Sequence, residues 1–145
     1  MKKLILLCLI FVSLAGMAQI RVGSYKAFAG TITGVDADTL NALSTRSYIF
    51  EFANYSYELG IDVFILLDRT SGAVSVGQKT YWSNDGSHWA ATAADSSSLG
   101  DAIIDIPWSK TITPAKGRYM KLVLTATSAA QVSSIYGYMR TYLKN

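Results

Sequence analysis

The chain is short of nearly everything from which catalytic and metal centres are built. Its 145 residues include one histidine, His88, and one cysteine, Cys8. A zinc site made of histidine and cysteine needs about four such ligands and is excluded. Ser-His-Asp catalysis would have to run through His88, which stands beside a polar turn where exposure is the ordinary state. Charge is scarce as well: 13 Lys and Arg face 10 Asp and Glu, and charged residues make up 16% of the chain. No nucleic-acid or anionic-membrane field follows from that balance. Proline occurs twice, and no apolar stretch has a helical period over three turns, so helices contribute little. Carboxylates remain, as Asp36 with Asp38, Asp101 with Asp105, and Glu51, Glu58, Asp62 and Asp68 near strand-like runs. A glycosidase needs two of them ~5–10 Å apart in a cleft. A small two-layer sandwich rarely has such a cleft, so these read as solvated loop acids, and a small hydrolase ranks third among the functions considered.

The amino terminus carries the clearest signal. Met1-Lys2-Lys3 is basic, Leu4 to Leu14 is almost wholly apolar, and Ala15-Gly16-Met17-Ala18 supplies small residues before Gln19. This is the pattern of a secretory signal helix over 1–18, with cleavage expected after Ala18. The apolar run falls short of the ~20 residues that cross a bilayer, so no stable membrane span is expected. Cleavage removes Lys2, Lys3 and Cys8, leaving a nearly neutral domain over 19–145 that must fold without a disulfide. The expected location is outside the cell or on its surface, the virion surface included.

The body reads as an all-β, antiparallel sandwich in a single domain. Arg46 to Phe52 alternates, with Tyr48, Phe50 and Phe52 on one side. Ile61 to Leu67 is a solid apolar run that suggests burial on both faces, and Ala73 to Trp82 alternates again. Ala102 to Ile106 reads as a short strand stopped by Pro107. Arg118 to Thr127 sets Met120, Leu122 and Leu124 against Tyr119, Lys121 and Val123, and Val132 to Leu143 sets Ile135, Met139 and Leu143 against Tyr136, Tyr138 and Tyr142. Turn chemistry at Asp68 to Gly72, Asn84 to Gly86, Ser96 to Gly100 and Thr113 to Gly117 separates these runs, which is the spacing of a β-sandwich. Ala37 to Leu43 offers one helical turn capped by Asp36 or Asp38.

The segment Tyr81-Trp82-Ser83-Asn84-Asp85-Gly86-Ser87-His88-Trp89 bears on function. A two-residue Asp85-Gly86 turn would place Trp82 directly across from Trp89, with both indoles on one face. Such a pair either fills the core or forms a platform for a sugar, with Asn84, Asp85 and His88 to meet its hydroxyls.

That Ser-Asn-Asp-Gly-Ser-His-Trp hairpin, the later Gly-Arg-Tyr-Met-Lys-Leu-Val-Leu-Thr strand and the Tyr-rich run from Ile135 to Tyr142 resemble the small β-sandwich proteins of tailed-bacteriophage virions. More distantly they are similar to discoidin-type, or coagulation-factor C type, jelly rolls, though the terminal cysteine pair of those domains is absent. The resemblance implies a jelly-roll-like sandwich serving in decoration, fibres, adhesion or carbohydrate binding. It also implies a structural calcium as the one cofactor to consider, for which Asp36 and Asp38 are the candidate ligands. Tyr136, Tyr138, Arg140 and Tyr142 share one face of the last strand, and tyrosine and arginine are enriched where proteins bury surface against each other. The expected function is therefore structural, by self-association or docking on another surface protein, with a glycan-binding or adhesion module as the alternative.

Overall fold

The computed structural model describes residues 22–29, 38–52, 59–113 and 115–143. The signal segment, Asp36 and the greater part of the expected helical turn's flank therefore lie outside the described residues. Among the described residues nine strands are present: β1 (Val22–Ala29), β2 (Asp38–Asn41), β3 (Thr45–Glu51), β4 (Leu59–Ser71), β5 (Val74–Ser83), β6 (Asp95–Ala102), β7 (Ile106–Ile112), β8 (Tyr119–Ala126) and β9 (Val132–Leu143). All pair antiparallel in two sheets. The first has the order β1-β9-β4-β7, with β2 also paired to β9. Since β1 pairs with Gly137 to Tyr142 and β2 with Val132 to Ile135, the two short strands lie end to end along one edge of β9. The second sheet has the order β3-β8-β5-β6. Only the β1 to β2 and β5 to β6 connections stay within a sheet, so the chain repeatedly crosses the sandwich, as a jelly-roll-like fold requires.

Alternation builds the core between the sheets. Ile61, Val63, Ile65 and Leu67 of β4 face Val74 and Val76 of β5 and Met120, Leu122 and Leu124 of β8 across the interior, and Leu40, Phe50, Ile135 and Met139 complete it. Each side chain of this size contributes roughly 1.5–3 kcal/mol on burial, before the entropy cost of ordering it. The other face of β4 departs from expectation: Asp62, Phe64, Leu66 and Asp68 are half-buried, so this strand is covered on one side only. Its continuous apolar run arises because two outward positions carry Phe64 and Leu66.

Three other expectations are corrected. Ala37 to Leu43 contains strand β2 rather than a helical turn, because Asp38 to Asn41 pair with β9. Ser96 to Gly100 is not a loop but most of β6, an edge strand paired only with β5, where outward serines cost nothing. Gly100 there adopts φ +69° at a bulge opposite Val74 and Val76, the left-handed conformation in which glycine is favoured. The strand expected over Ala102 to Ile106 is instead a break, with Ile103 and Ile104 exposed, and β7 begins at Ile106 and runs through Pro107. Proline is tolerated because β7 is an edge strand, paired among the described residues with β4 alone.

Candidate functional site

The outer face of the first sheet gathers the carboxyl-terminal tyrosines. Even-numbered residues of β9 and β4 point outward in register, which sets Arg140 beside Asp62, Tyr138 beside Phe64 and Tyr136 beside Leu66. Tyr138 and Phe64 stack, with ring centroids 4.8 Å apart and planes 18° from parallel. Tyr142 lies over Gly60, where any Cβ would collide with its ring, so this glycine is the position that lets the aromatic close down on the sheet. The four residues singled out from sequence are thus brought together on one outward face, and Phe64 and Asp62 join them. Those two were missed because their pairing with β9 spans most of the chain.

An ion pair borders the aromatic stack. Arg140 donates from Nη2 to Asp62 Oδ2 at 2.5 Å and from Nε to the same atom at 3.2 Å, and the Thr111 hydroxyl donates to Asp62 Oδ1 at 2.8 Å. Partial burial pushes the Asp62 carboxyl up, but the hydrogen bonds from Arg140 and Thr111 and the guanidinium charge outweigh it and hold the group below the usual carboxylate range. Asp62, Phe64, Tyr138 and Arg140, with Ser109 to Thr111 of β7, line an open groove of about 650 Å³.

The tryptophan loop is arranged differently from the sequence expectation. The Ala90 amide donates to the Trp82 carbonyl and the Ala94 amide to the Thr80 carbonyl, so Trp82 is opposed by Ala90 rather than by Trp89. Asp85 is the cause. Its Oδ1 accepts from the Ser87 and His88 amides and from the Ser83 hydroxyl, which in turn accepts from the Gly86 amide, and the chain forms a wider loop in place of a two-residue turn. The indoles consequently separate: Trp82 is buried against Phe52, at 6.1 Å between centroids, while Trp89 lies on the outside with the Lys121 ammonium 4.5 Å from its ring. The paired platform is not formed. Asn84, Asp85 and His88 remain together on the exposed loop. The His88 amide and ring, the Ser87 amide and the Ser83 hydroxyl hold the Asp85 carboxyl far below its ordinary range, and the His88 Nδ1 contact at 2.6 Å raises the imidazole pKa.

For the calcium candidates, Asp36 lies outside the described residues, and Asp38 stands in β2 with its Oδ2 accepting from the Tyr48 hydroxyl at 2.9 Å. Burial and this bond to Asp38 push the Tyr48 phenol well above its ordinary pKa. No group of three or more His, Cys, Asp or Glu is placed to hold a metal among the described residues.

No protein-family model matches the chain, and no curated protein sequence does. Among solved structures, the fold is similar to part of dimeric latent PorU from Porphyromonas gingivalis, with a TM-score of 0.51 and 11% identity over 89% of this chain. The chain spans 14% of the length of that protein. A chain of infectious bursal disease virus, Gx strain, is similar at a TM-score of 0.48 and 12% identity, covering 87% of this chain and 33% of that one. Bacillus endospore appendages, described as disulfide-linked pili, are similar at a TM-score of 0.41 and 15% identity, covering 81% and 98%. At such identities the likeness is one of fold, and it singles out no bacteriophage family.

Proposed function

We propose that this chain is an exported, non-catalytic β-sandwich that works as an assembly subunit of a surface structure, packing against a second copy of itself through the outer face of the first sheet. The observation that carries the reading is the Phe64 and Tyr138 stack set in an open groove beside the Arg140 and Asp62 pair. Because both charges lie on one face, a two-fold axis can bring each copy's Arg140 and Asp62 close to those of the other, the self-complementarity that an isologous interface needs. Aromatic rings at the centre with charge at the rim is also the usual anatomy of a protein contact.

Sedimentation velocity across a wide concentration range tests the assembly. The native protein is expected to associate, and the double variant Tyr138→Ser, Arg140→Ser to remain monomeric with its fold intact. Loss of the ring stack lowers stability by only about 0.5–1.5 kcal/mol beyond the lost ring area. A native protein that stays monomeric at high concentration overturns the reading. Export is tested separately by intact mass: protein from its native compartment should begin at Gln19, and a chain still starting at Met1 refutes it.

A further inference from the structure

One margin of the sandwich interior is polar. On the inward side of β5, Val74 and Val76 give way to Gln78, Thr80 and Trp82, all buried. Asp95, on the edge strand β6, pairs with Thr80 and so faces the same way. Across the gap, β7 is an edge of the other sheet, and its Ile106, Trp108 and Ile112 pack against the core. Lys110 shares their parity and points inward as well, a rare direction for lysine. The two side chains meet: Lys110 Nζ donates to Asp95 Oδ1 in an ion pair that bridges the sheets. An inward charge on an edge strand discourages edge-to-edge aggregation, which accounts for a charge on either strand. It does not account for Asp95 Oδ2, which is buried and has no hydrogen-bond partner among the described residues. A buried carboxylate oxygen left without a donor is costly.

We propose that Lys110 and Asp95 are joined by an intramolecular amide bond, formed once the fold has brought them together. Transfer of one proton within the ion pair gives the neutral amine and the neutral acid. The Nζ lone pair attacks Cγ and the Cγ–Oδ1 bond breaks. Oδ1 leaves as water, carrying the acid's proton and one from Nζ, and Oδ2 stays as the amide oxygen. The step is a condensation and needs no oxidant or reductant. The fold holds the amine against the carboxyl, which replaces a bimolecular encounter by an intramolecular one. Condensation also removes both charges from a partly desolvated place, and a neutral amide oxygen is less unfavourable to leave unpaired than a carboxylate oxygen. An open hollow of about 180 Å³, lined by both residues, gives the released water a way out. The product ties β6 to β7 across the sandwich, a link that no disulfide within this chain can make, since it has one cysteine.

Intact mass of the purified mature protein under denaturing conditions reads the bond: the chain should be lighter than its sequence by one water. Chymotrypsin, cutting after Leu99 and Trp108, should release a branched peptide in which the segment holding Asp95 is attached at Lys110. Trypsin should fail to cut after Lys110 and leave Thr80 to Lys116 as one looped peptide. Lys110→Arg keeps the ion pair, but a guanidinium does not condense, so this variant should have its full sequence mass and unfold at a lower temperature. Asp95→Ala should likewise have its full mass. A native chain of full mass overturns the proposal whatever the variants do. So does a water lost within the Asp95 segment alone, the mark of a succinimide, or a loss that persists in Lys110→Arg.

Discussion

On the outer face of the second sheet, Lys121 lies 5.3 Å from the Tyr81 ring centre and 4.5 Å from that of Trp89, and Arg118 lies 5.6 Å from that of Tyr119. On the first sheet the central contact is ring on ring, Tyr138 against Phe64, with a groove alongside. Both faces are rich in aromatics and both hold a cation near a ring, Arg140 lying 6.0 Å from the Tyr142 ring centre on the first, but the second has three such contacts where the first has a ring stack at its centre. Arg118 is held further by Glu51, which also accepts from the Tyr119 hydroxyl. A cation kept over a ring must shed water before a partner can pack there. The proposed assembly face is thus set apart by what lies on its rings, not by how many rings it has.

The largest effect contrasts the two indoles that flank one loop, Trp82 at the end of β5 and Trp89 beyond it. Trp82→Ala should cost ~3–5 kcal/mol of stability, as for other buried tryptophans, whereas Trp89→Ala should cost about 1 kcal/mol. Denaturant unfolding of both variants checks this, and equal losses would mean that the outer rings are structural too. A smaller effect separates the faces themselves. Lys121→Ala removes two cation–ring contacts at roughly 0.5–1 kcal/mol each, while Arg140→Ala removes an exposed ion pair with Asp62 and a longer approach to the Tyr142 ring, and should cost less. A greater loss for Arg140→Ala in thermal unfolding would reverse the contrast drawn between the sheets.

The smallest effect is a titration. The His88 pKa is raised by its bond to Asp85, so it should titrate above the ordinary ~6.5 and return toward that value in Asp85→Asn, as followed by ¹H NMR. The sign for stability follows from the two shifts. The contribution of His88 is complete below pH ~6.5 and lost as pH rises through its raised pKa; that of Asp85 is complete above ~3.9 and lost as pH falls through its lowered one. Loop stability should therefore be greatest in mildly acidic solution.

Where apolar alternation is strong, the sequence and the structure agree closely. β8 and β9 show their inward Met120, Leu122, Leu124, Ile135 and Met139 directly, and the outward tyrosines follow from the same period. Edges are the opposite case. β6 reads as a serine turn because an edge strand has little apolar surface to bury, and β7 hides behind a proline that only an edge admits. β1 and β2 escape notice altogether, since they gain their place by pairing with a strand about a hundred residues away. The loop at Asp85 shows a third limit: local composition favours a tight turn, but one carboxylate collecting two amides and a hydroxyl widens the loop, so that Ala90 and not Trp89 bonds back to Trp82 and Trp89 goes to the other side. The polar margin at Trp82 and Asp95 is invisible in sequence because it arises only where edges of opposite sheets meet.

The position of β9 has a consequence for how the chain is made. Among the described residues it is the last of nine strands in sequence, yet β1, β2 and β4 all pair with it, Val22 with Tyr142 and Asp38 with Ile135 among them. Until the ribosome has produced it, the first three of those partners lack their neighbour and the first sheet has no centre. Closing contacts so distant in sequence is slow. The first sheet therefore closes only once β9 is available, whereas β4 with β7 and the whole of the second sheet can pair without it.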